Sequence, residues 1–206
     1  TFLFVLSGLD ADRHWSVRAA VAALLGSLDQ AAGLPRLVPM LKDGDLRVVP
    51  SVLAALAKLK APGAEQALLD WLKHEDVVVR AAAAAGLGEL KPPGGDRALV
   101  AAFHRAQRDE AYAARTAALD ALVGYGAAVA VPVLHEALAD ASWAVRLHAA
   151  ALLKPLEPGT DPAATIRPAP TRRAAAAYGA PELVAPAVSP RVFIETDRGT
   201  IEVEMA

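Results

Sequence analysis

The chain has 206 residues, of which 54% are hydrophobic, 21% are charged and 5% are aromatic. Its 21 Lys and Arg residues against 23 Asp and Glu residues give a formal net charge of −2, which argues against non-specific nucleic-acid binding because such binding requires a basic surface. The absence of cysteine excludes disulfides, thiol nucleophiles and cysteine metal sites.

The chain begins at Thr1 with the apolar run 2–6, which is typical of the inner face of a helix. We therefore interpret it as part of a longer protein whose N-terminal signal cannot be judged, so the compartment stays open between cytoplasm and periplasm. No uncharged apolar stretch reaches the ~18 residues that a membrane span requires, and none is predicted.

A short motif recurs along most of the chain. It first occurs as Val17-Arg18-Ala19-Ala20 and returns around positions 49, 80, 115 and 146, at intervals of 31, 31, 35 and 31 residues. In the second copy Val49 stands where the other copies have arginine. Self-similarity at such an interval predicts a protein built of stacked repeats.

Each repeat is predicted to form two helices, and the motif begins the second of them. In the first copy Val17, Val21, Leu24 and Leu28 have the spacing of one helical face. First helices are predicted around 34–41, 67–72, 98–103 and 131–138, and the four extra residues of the long interval should lengthen the third of these.

Glycine and proline residues are expected to mark the helix ends. Glycines predicted to lie between units are Gly33, Gly63, Gly95 and Gly126. Pro35 suits a first helical turn, whereas Pro39 and Pro132 should kink their helices.

The pattern L-x-D-x-x-x-x-V-R-x-x-A-A-x-x-L, in which Asp140, Arg146 and Leu153 are key positions of one copy, resembles the HEAT-repeat family. The resemblance covers residues 1–157 and implies an all-α fold, an α-solenoid of about five HEAT-like helical-hairpin repeats. It also implies a structural ladder of motif arginines and turn aspartates of the same or the next unit. Its predicted members are Arg18, Arg80, Arg115, Arg146, Asp12, Asp43, Asp76, Asp109 and Asp140.

No catalytic, cofactor-binding or metal site is predicted, because the five histidines lack ligand spacing and no nucleotide-binding or hydrolase motif occurs. Trp15, Trp71 and Trp143 are candidates for partner binding, with core packing or stacking on arginine as the alternative.

The sequence changes character after Leu156. Residues 158–190 are rich in Pro and Ala and are predicted to form a linker. In 191–206 apolar residues alternate with polar ones on either side of Asp197-Arg198-Gly199, which predicts a β-hairpin. Two strands cannot bury a face alone, so either the rest of a β domain should follow or the hairpin should pair with something else.

The hairpin resembles the first hairpin of cyclophilin-type peptidyl-prolyl isomerases through Thr196, Gly199, Ile201, Val203 and Met205. Some bacterial isomerases resemble fusions of HEAT repeats to such a domain. The family's catalytic residues lie downstream of this hairpin, so the resemblance implies activity for a parent protein and assigns it to no residue of this chain.

The leading hypothesis is a non-catalytic HEAT-repeat scaffold that binds a protein or peptide client. One alternative is an enzyme of lyase or glycosylase type built on the solenoid itself, for which Asp70 with Trp71 is the suggestive pair. The other is an oligomerisation module, in which Phe2, Phe4 and the hairpin drive self-association through the ends of the chain.

Overall fold

A computed structural model describes residues 12–166, 191–197 and 199–204. The described residues contain nine α-helices, a short 3₁₀ helix and one two-stranded sheet. The helices are α1 (Trp15–Leu25), α2 (Gln30–Met40), α3 (Val49–Lys58), α4 (Ala64–Trp71), α5 (Val77–Leu90), α6 (Gly95–Ala106), α7 (Ala113–Tyr125), α8 (Ala127–Ala137) and α9 (Trp143–Leu156). This is the predicted α-solenoid, followed in the sequence by the predicted hairpin.

The motif helices α1, α3, α5, α7 and α9 are the second helices of their repeats, and each contacts the next one along the chain. The first helices α2, α4, α6 and α8 pack against the motif helices before and after them. The first helix expected before α1 lies outside the described residues. At 12 residues, α6 is the longest described first helix, in the repeat where the four-residue excess falls.

Glycine allows neighbouring motif helices to approach closely. A Cβ on Gly26, the C-cap of α1, would lie 2.6 Å from the Cβ of Ala55 in α3, and one on Gly88 of α5 would lie 2.8 Å from the Cα of Ala121 in α7. Both glycines stand eight residues after the motif position, and both alanines stand six after it. The same small-residue contact therefore recurs at two junctions.

Gly33 does not lie between helices, contrary to the prediction. The side chain of Asp29 accepts a hydrogen bond from the N–H of Ala32 at 2.9 Å, so α2 begins at Gln30 and includes Gly33. A Cβ at Gly33 would lie 2.7 Å from the carbonyl oxygen of Leu25, which explains the glycine by close packing. Pro35 is then the sixth residue of α2 rather than a first-turn residue. Gly95 likewise begins α6, and Gly94 is the residue with positive φ there.

The described part of the predicted linker starts with a packed segment. The 3₁₀ helix Pro162–Thr165 contacts α9, and Ile166 is buried in the same hydrophobic cluster as the C-terminal repeats. Residues 167–190 of the predicted linker lie outside the described residues.

The hairpin consists of β1 (Arg191–Thr196) and β2 (Gly199–Glu204), paired antiparallel from Arg191 opposite Glu204 to Thr196 opposite Gly199. Val192 opposite Val203 and Ile194 opposite Ile201 share one face, since side chains alternate along a strand. All four of these side chains are exposed.

Candidate functional site

The motif arginines stand in the first turn of α1, α5, α7 and α9 and bind their own turns. In each case Nη1 donates to the carbonyl oxygen six residues earlier, in the turn before the helix. These hydrogen bonds run from Arg18 to Asp12 (2.7 Å), Arg80 to His74 (2.8 Å), Arg115 to Asp109 (3.1 Å) and Arg146 to Asp140 (3.1 Å). The motif thus fixes the turn between the two helices of its repeat.

Three of these arginines also bind an aspartate of the following unit. Arg18 makes a bidentate pair with Asp43, with Nε and Nη2 at 2.7 and 2.8 Å from the two carboxylate oxygens. We call the complete set, Arg18–Asp43, Arg80–Asp109 and Arg115–Asp140, the arginine ladder. In the third pair Nε and Oδ2 are 3.4 Å apart and both side chains are buried.

The ladder changes the ionisation of the Arg18–Asp43 pair. The hydrogen bond from Arg18 holds the pKa of Asp43 below its ordinary value, against a smaller opposing effect of burial. Nearby, the hydrogen bonds from Arg47 lower the pKa of Asp45 to about 2. Both carboxylates are therefore anionic at neutral pH and favour the paired geometry.

Not every predicted ladder member is in an ion pair among the described residues. Val49 replaces the arginine of the second unit and is buried in the core. Asp76 instead caps α5, accepting the N–H groups of Val78 and Val79. Asp12 accepts the N–H of His14 at 2.7 Å, and Arg146 has no carboxylate partner within the described part.

The three tryptophans all lie near the turns that join the first helix of a repeat to the second. Trp15 and Trp143 begin α1 and α9, and Trp71 ends α4. Trp15 is half-buried beneath the guanidinium of Arg47, at 4.5 Å, while Trp71 is half-buried against the core with its ring 5.1 Å from that of His74. Trp143 is the most exposed of the three and contacts Arg146.

Exposed apolar side chains concentrate at the starts of the motif helices. Eight large apolar side chains are exposed in the described part of the solenoid, and six of them lie there. These six, which we call the apolar edge, are Val17, Leu46, Val78, Tyr112, Trp143 and Leu147. The other two, Leu24 and Val38, lie elsewhere in α1 and α2.

Sequence reasoning found only Trp143 of this edge, although a signal for more was present. The position three residues before the motif position is apolar or aromatic in all five repeats, as Trp15, Leu46, Val77, Tyr112 and Trp143. This position accounts for Leu46, Tyr112 and Trp143 of the edge, and of these only Trp143 was picked out from the sequence.

The family model for HEAT repeats matches residues 3–87 and 65–154, which together make up most of the chain. The chain belongs to the HEAT-repeat family. No curated protein sequence matches it. As a HEAT-repeat protein it is a helical repeat scaffold, a class that typically mediates protein interactions.

The residues considered for an enzyme built on the HEAT repeats have structural contacts. Asp70 accepts a hydrogen bond from Nε2 of Gln66 at 2.9 Å on the exposed side of α4, and Trp71 packs against the core. Across 12–166 and the described parts of the hairpin, no group of three or more His, Asp or Glu residues is placed to hold a metal ion. None of the helices in those ranges is long and apolar enough to cross a membrane.

Proposed function

We propose that the chain is a non-catalytic HEAT-repeat scaffold that binds a protein or peptide client, and that its parent is a cyclophilin-type peptidyl-prolyl isomerase. The observation that carries client binding is the apolar edge. Large apolar side chains left exposed at the starts of successive motif helices favour an interaction surface, and aromatic residues dominate binding energy at such surfaces. Tyr112 and Trp143 supply the aromatic groups of this edge.

We infer the form of the client from the spacing of the repeats. Neighbouring packed helices are about 8–10 Å apart. A polyproline II segment has three residues per turn and rises about 3.1 Å per residue, so its equivalent side chains recur about every 9 Å. The client that fits is therefore an extended, proline-containing segment with an apolar side chain at every third position. Such a segment is also a substrate type for a prolyl isomerase.

Support for the isomerase parent comes from the hairpin. Thr196, Gly199, Ile201 and Val203 of the cyclophilin-like pattern lie in its paired strands, and its apolar face is exposed in the described hairpin. Met205 lies outside the described residues. We propose residues 191–206 as the start of the isomerase domain, residues 1–157 as the repeat domain and 158–190 as the connection between them.

Peptide binding tests the scaffold. Fluorescence anisotropy should show saturable binding of an extended proline-containing peptide with leucine at every third position, and weaker binding of the same composition scrambled. Tyr112→Ser and Val78→Ser should each raise Kd about tenfold, the cost of losing a significant interface contact. Val38→Ser is the matched control, because Val38 is equally exposed but lies off the edge. Equal effects of all three substitutions would contradict the assignment of the edge.

Catalysis tests the proposed parent separately. A prolyl isomerisation assay should find no acceleration by this chain and clear acceleration by the protein extended beyond Ala206. Rate enhancement by this chain alone would contradict the non-catalytic assignment. An inactive extended protein would contradict the isomerase parent and leave the peptide-binding result to stand on its own.

A further inference from the structure

The long interval of the repeat corresponds to an extra helical turn in α6. Each of α4 and α6 begins 15 residues after the motif position before it and ends nine residues before the next one. However, α6 has 12 residues, whereas α4 has eight. Four residues are close to one helical turn, so the added length keeps the buried face in place. Insertions in repeat proteins often lie on the binding face, so this turn is a candidate for client recognition.

The end of α6 is bonded to the repeats on both sides of it. Nη1 of Arg105 donates a hydrogen bond of 2.7 Å to the carbonyl oxygen of Lys73, in the turn after α4. In the other direction, His104 and Gln107 each bond a different carboxylate oxygen of Glu136 in α8, both at 2.9 Å. The end of α6 is therefore held in position from both sides, although these side chains are exposed.

Three exposed cations at this end of α6 and in the adjoining turns have no ion pair in the described part of the chain. They are Lys73, Arg105 and Arg108. Arg105 differs from the other two because its bond to a carbonyl oxygen fixes its guanidinium and leaves further N–H groups as donors. A planar guanidinium that is already positioned can bind a carboxylate through two parallel hydrogen bonds.

The nearby acids decide how such a carboxylate is bound. Asp109 pairs with the ladder arginine of the preceding repeat, and Glu136 accepts the two bonds from α6. Glu75 and Glu110 lie exposed in the two adjoining turns and have no ion pair among the described contacts. Because these two acids reduce the net charge of the surface, an incoming carboxylate depends on direct contact with Arg105.

We propose that Arg105, assisted by Lys73 and Arg108, binds an acidic side chain of the client. This inference rests on the proposed binding of an extended client along the apolar edge. Two edge residues belong to the same turns as the cations, since Val78 follows Lys73 by five residues and Tyr112 follows Arg108 by four. A client that contacts both edge residues passes these turns, so an acid beside its apolar position can reach the guanidinium.

Fluorescence anisotropy with three peptides tests this inference. Each peptide repeats Leu-Pro-Gln, and one central glutamine is kept or replaced by Glu or Lys. The wild type should bind the Glu peptide about fivefold more tightly than the Gln peptide, the upper range for an exposed ion pair, and the Lys peptide more weakly. Added salt should reduce the advantage of the Glu peptide. Arg105→Gln should remove this advantage and bind the Gln peptide as the wild type does.

Arg97→Gln is the matched control, because Arg97 is an exposed arginine near the opposite end of the same helix. This variant should keep the preference for the Glu peptide, and circular dichroism should show that both variants are folded. Equal binding of the Glu and Gln peptides by the wild type, or a preference that survives Arg105→Gln, would overturn the inference while client binding stands. If the wild type binds none of the peptides, the proposed client binding is itself wrong, and this inference with it.

Discussion

At the scale of single residues, a ladder arginine stabilises the turn of its own repeat and also links that repeat to the next one. One edge of its guanidinium binds the turn of its own repeat, and the other meets an aspartate of the following repeat. Replacing one partner of such a pair leaves the other without compensation, and the cost grows with burial. Arg115–Asp140 is the most buried pair, and Arg18–Asp43 is the more accessible one.

The accessible pair gives a testable dependence of stability on pH. Because Arg18 lowers the pKa of Asp43 in the folded state below its ordinary 3.8, the pair's stabilisation is fully present above about pH 4 and disappears as the pH falls through the lower folded pKa. Asp43→Asn should therefore lower the free energy of unfolding at pH 7, and this effect should shrink as the pH falls below 4.

Urea unfolding of the wild type and Asp43→Asn across this range measures that difference. Glu110→Gln, at a position with no ion pair among the described contacts, is the control and should differ little from the wild type at any pH. If the free energies of unfolding of Asp43→Asn and the wild type differed by the same amount at every pH, the ionised pair would not be the cause of the difference.

At the scale of single residues, the sequence predicted where the arginines and aspartates lie better than it predicted which groups they bind. The repeat interval predicted that the motif arginine and the aspartate lie near the same turn, because both residues recur at fixed positions in each repeat. The sequence could not show that the carboxylate of Asp76 caps α5 instead of pairing with an arginine. A capping aspartate and a ladder aspartate are both short acidic residues just before a helix.

At the scale of helices, close packing of the motif helices depends on small residues. Gly88 in α5 lies directly against the backbone of Ala121 in α7, so an added methyl group has no flexible neighbour to displace. Gly124 in α7 is also helical, but its nearest side-chain neighbour is the mobile Cε of Lys91 at 3.2 Å.

Substitution by alanine should affect the stability of the protein differently at these two glycines. Alanine favours a helix over glycine by up to about 1 kcal/mol, whereas overpacking a tight contact costs about 1–3 kcal/mol. Gly88→Ala should therefore destabilise the protein, and Gly124→Ala should leave it unchanged or stabilise it. Thermal and urea unfolding measure both variants, and equal effects would show that the α5–α7 distance adjusts freely.

The helix boundaries also show where the sequence misleads. Gly33 was predicted as a break because glycine commonly follows a helix, but Asp29 begins α2 earlier and tertiary packing requires glycine at the fourth helical residue. A packing role cannot be told from a capping role without knowing which helix lies opposite.

At the scale of the whole repeat array, the buried core consists of two clusters. Buried residues form one cluster around α1–α3 and a larger one from α3 to the end of the array, which meet within α3. The junction between the second and third units also lacks a ladder pair, since Val49 replaces the arginine. In a repeat protein, stability is the sum of unit and junction energies, so this junction should be the weak one.

Hydrogen exchange measured by mass spectrometry should reveal this difference. The amides of α1 and α2 should exchange by an opening of lower free energy than those of α5 to α8, where larger side chains are buried and two ladder pairs are present. Exchange at one common rate along the array would mean that the repeats open together and that the missing arginine has no energetic effect.

Gly126 sets a limit on how such an array can vary. It is at once the C-cap of α7 and the N-cap of α8, and its φ of 111° with ψ of 161° is open in practice to glycine alone. An insertion there would have to unwind a helix, whereas the eight residues between α2 and α3 offer a turn that can be lengthened. A foreign loop or a reporter domain therefore fits better near the exposed Gly44 of this turn, away from the buried Val48, than at the corner formed by Gly126.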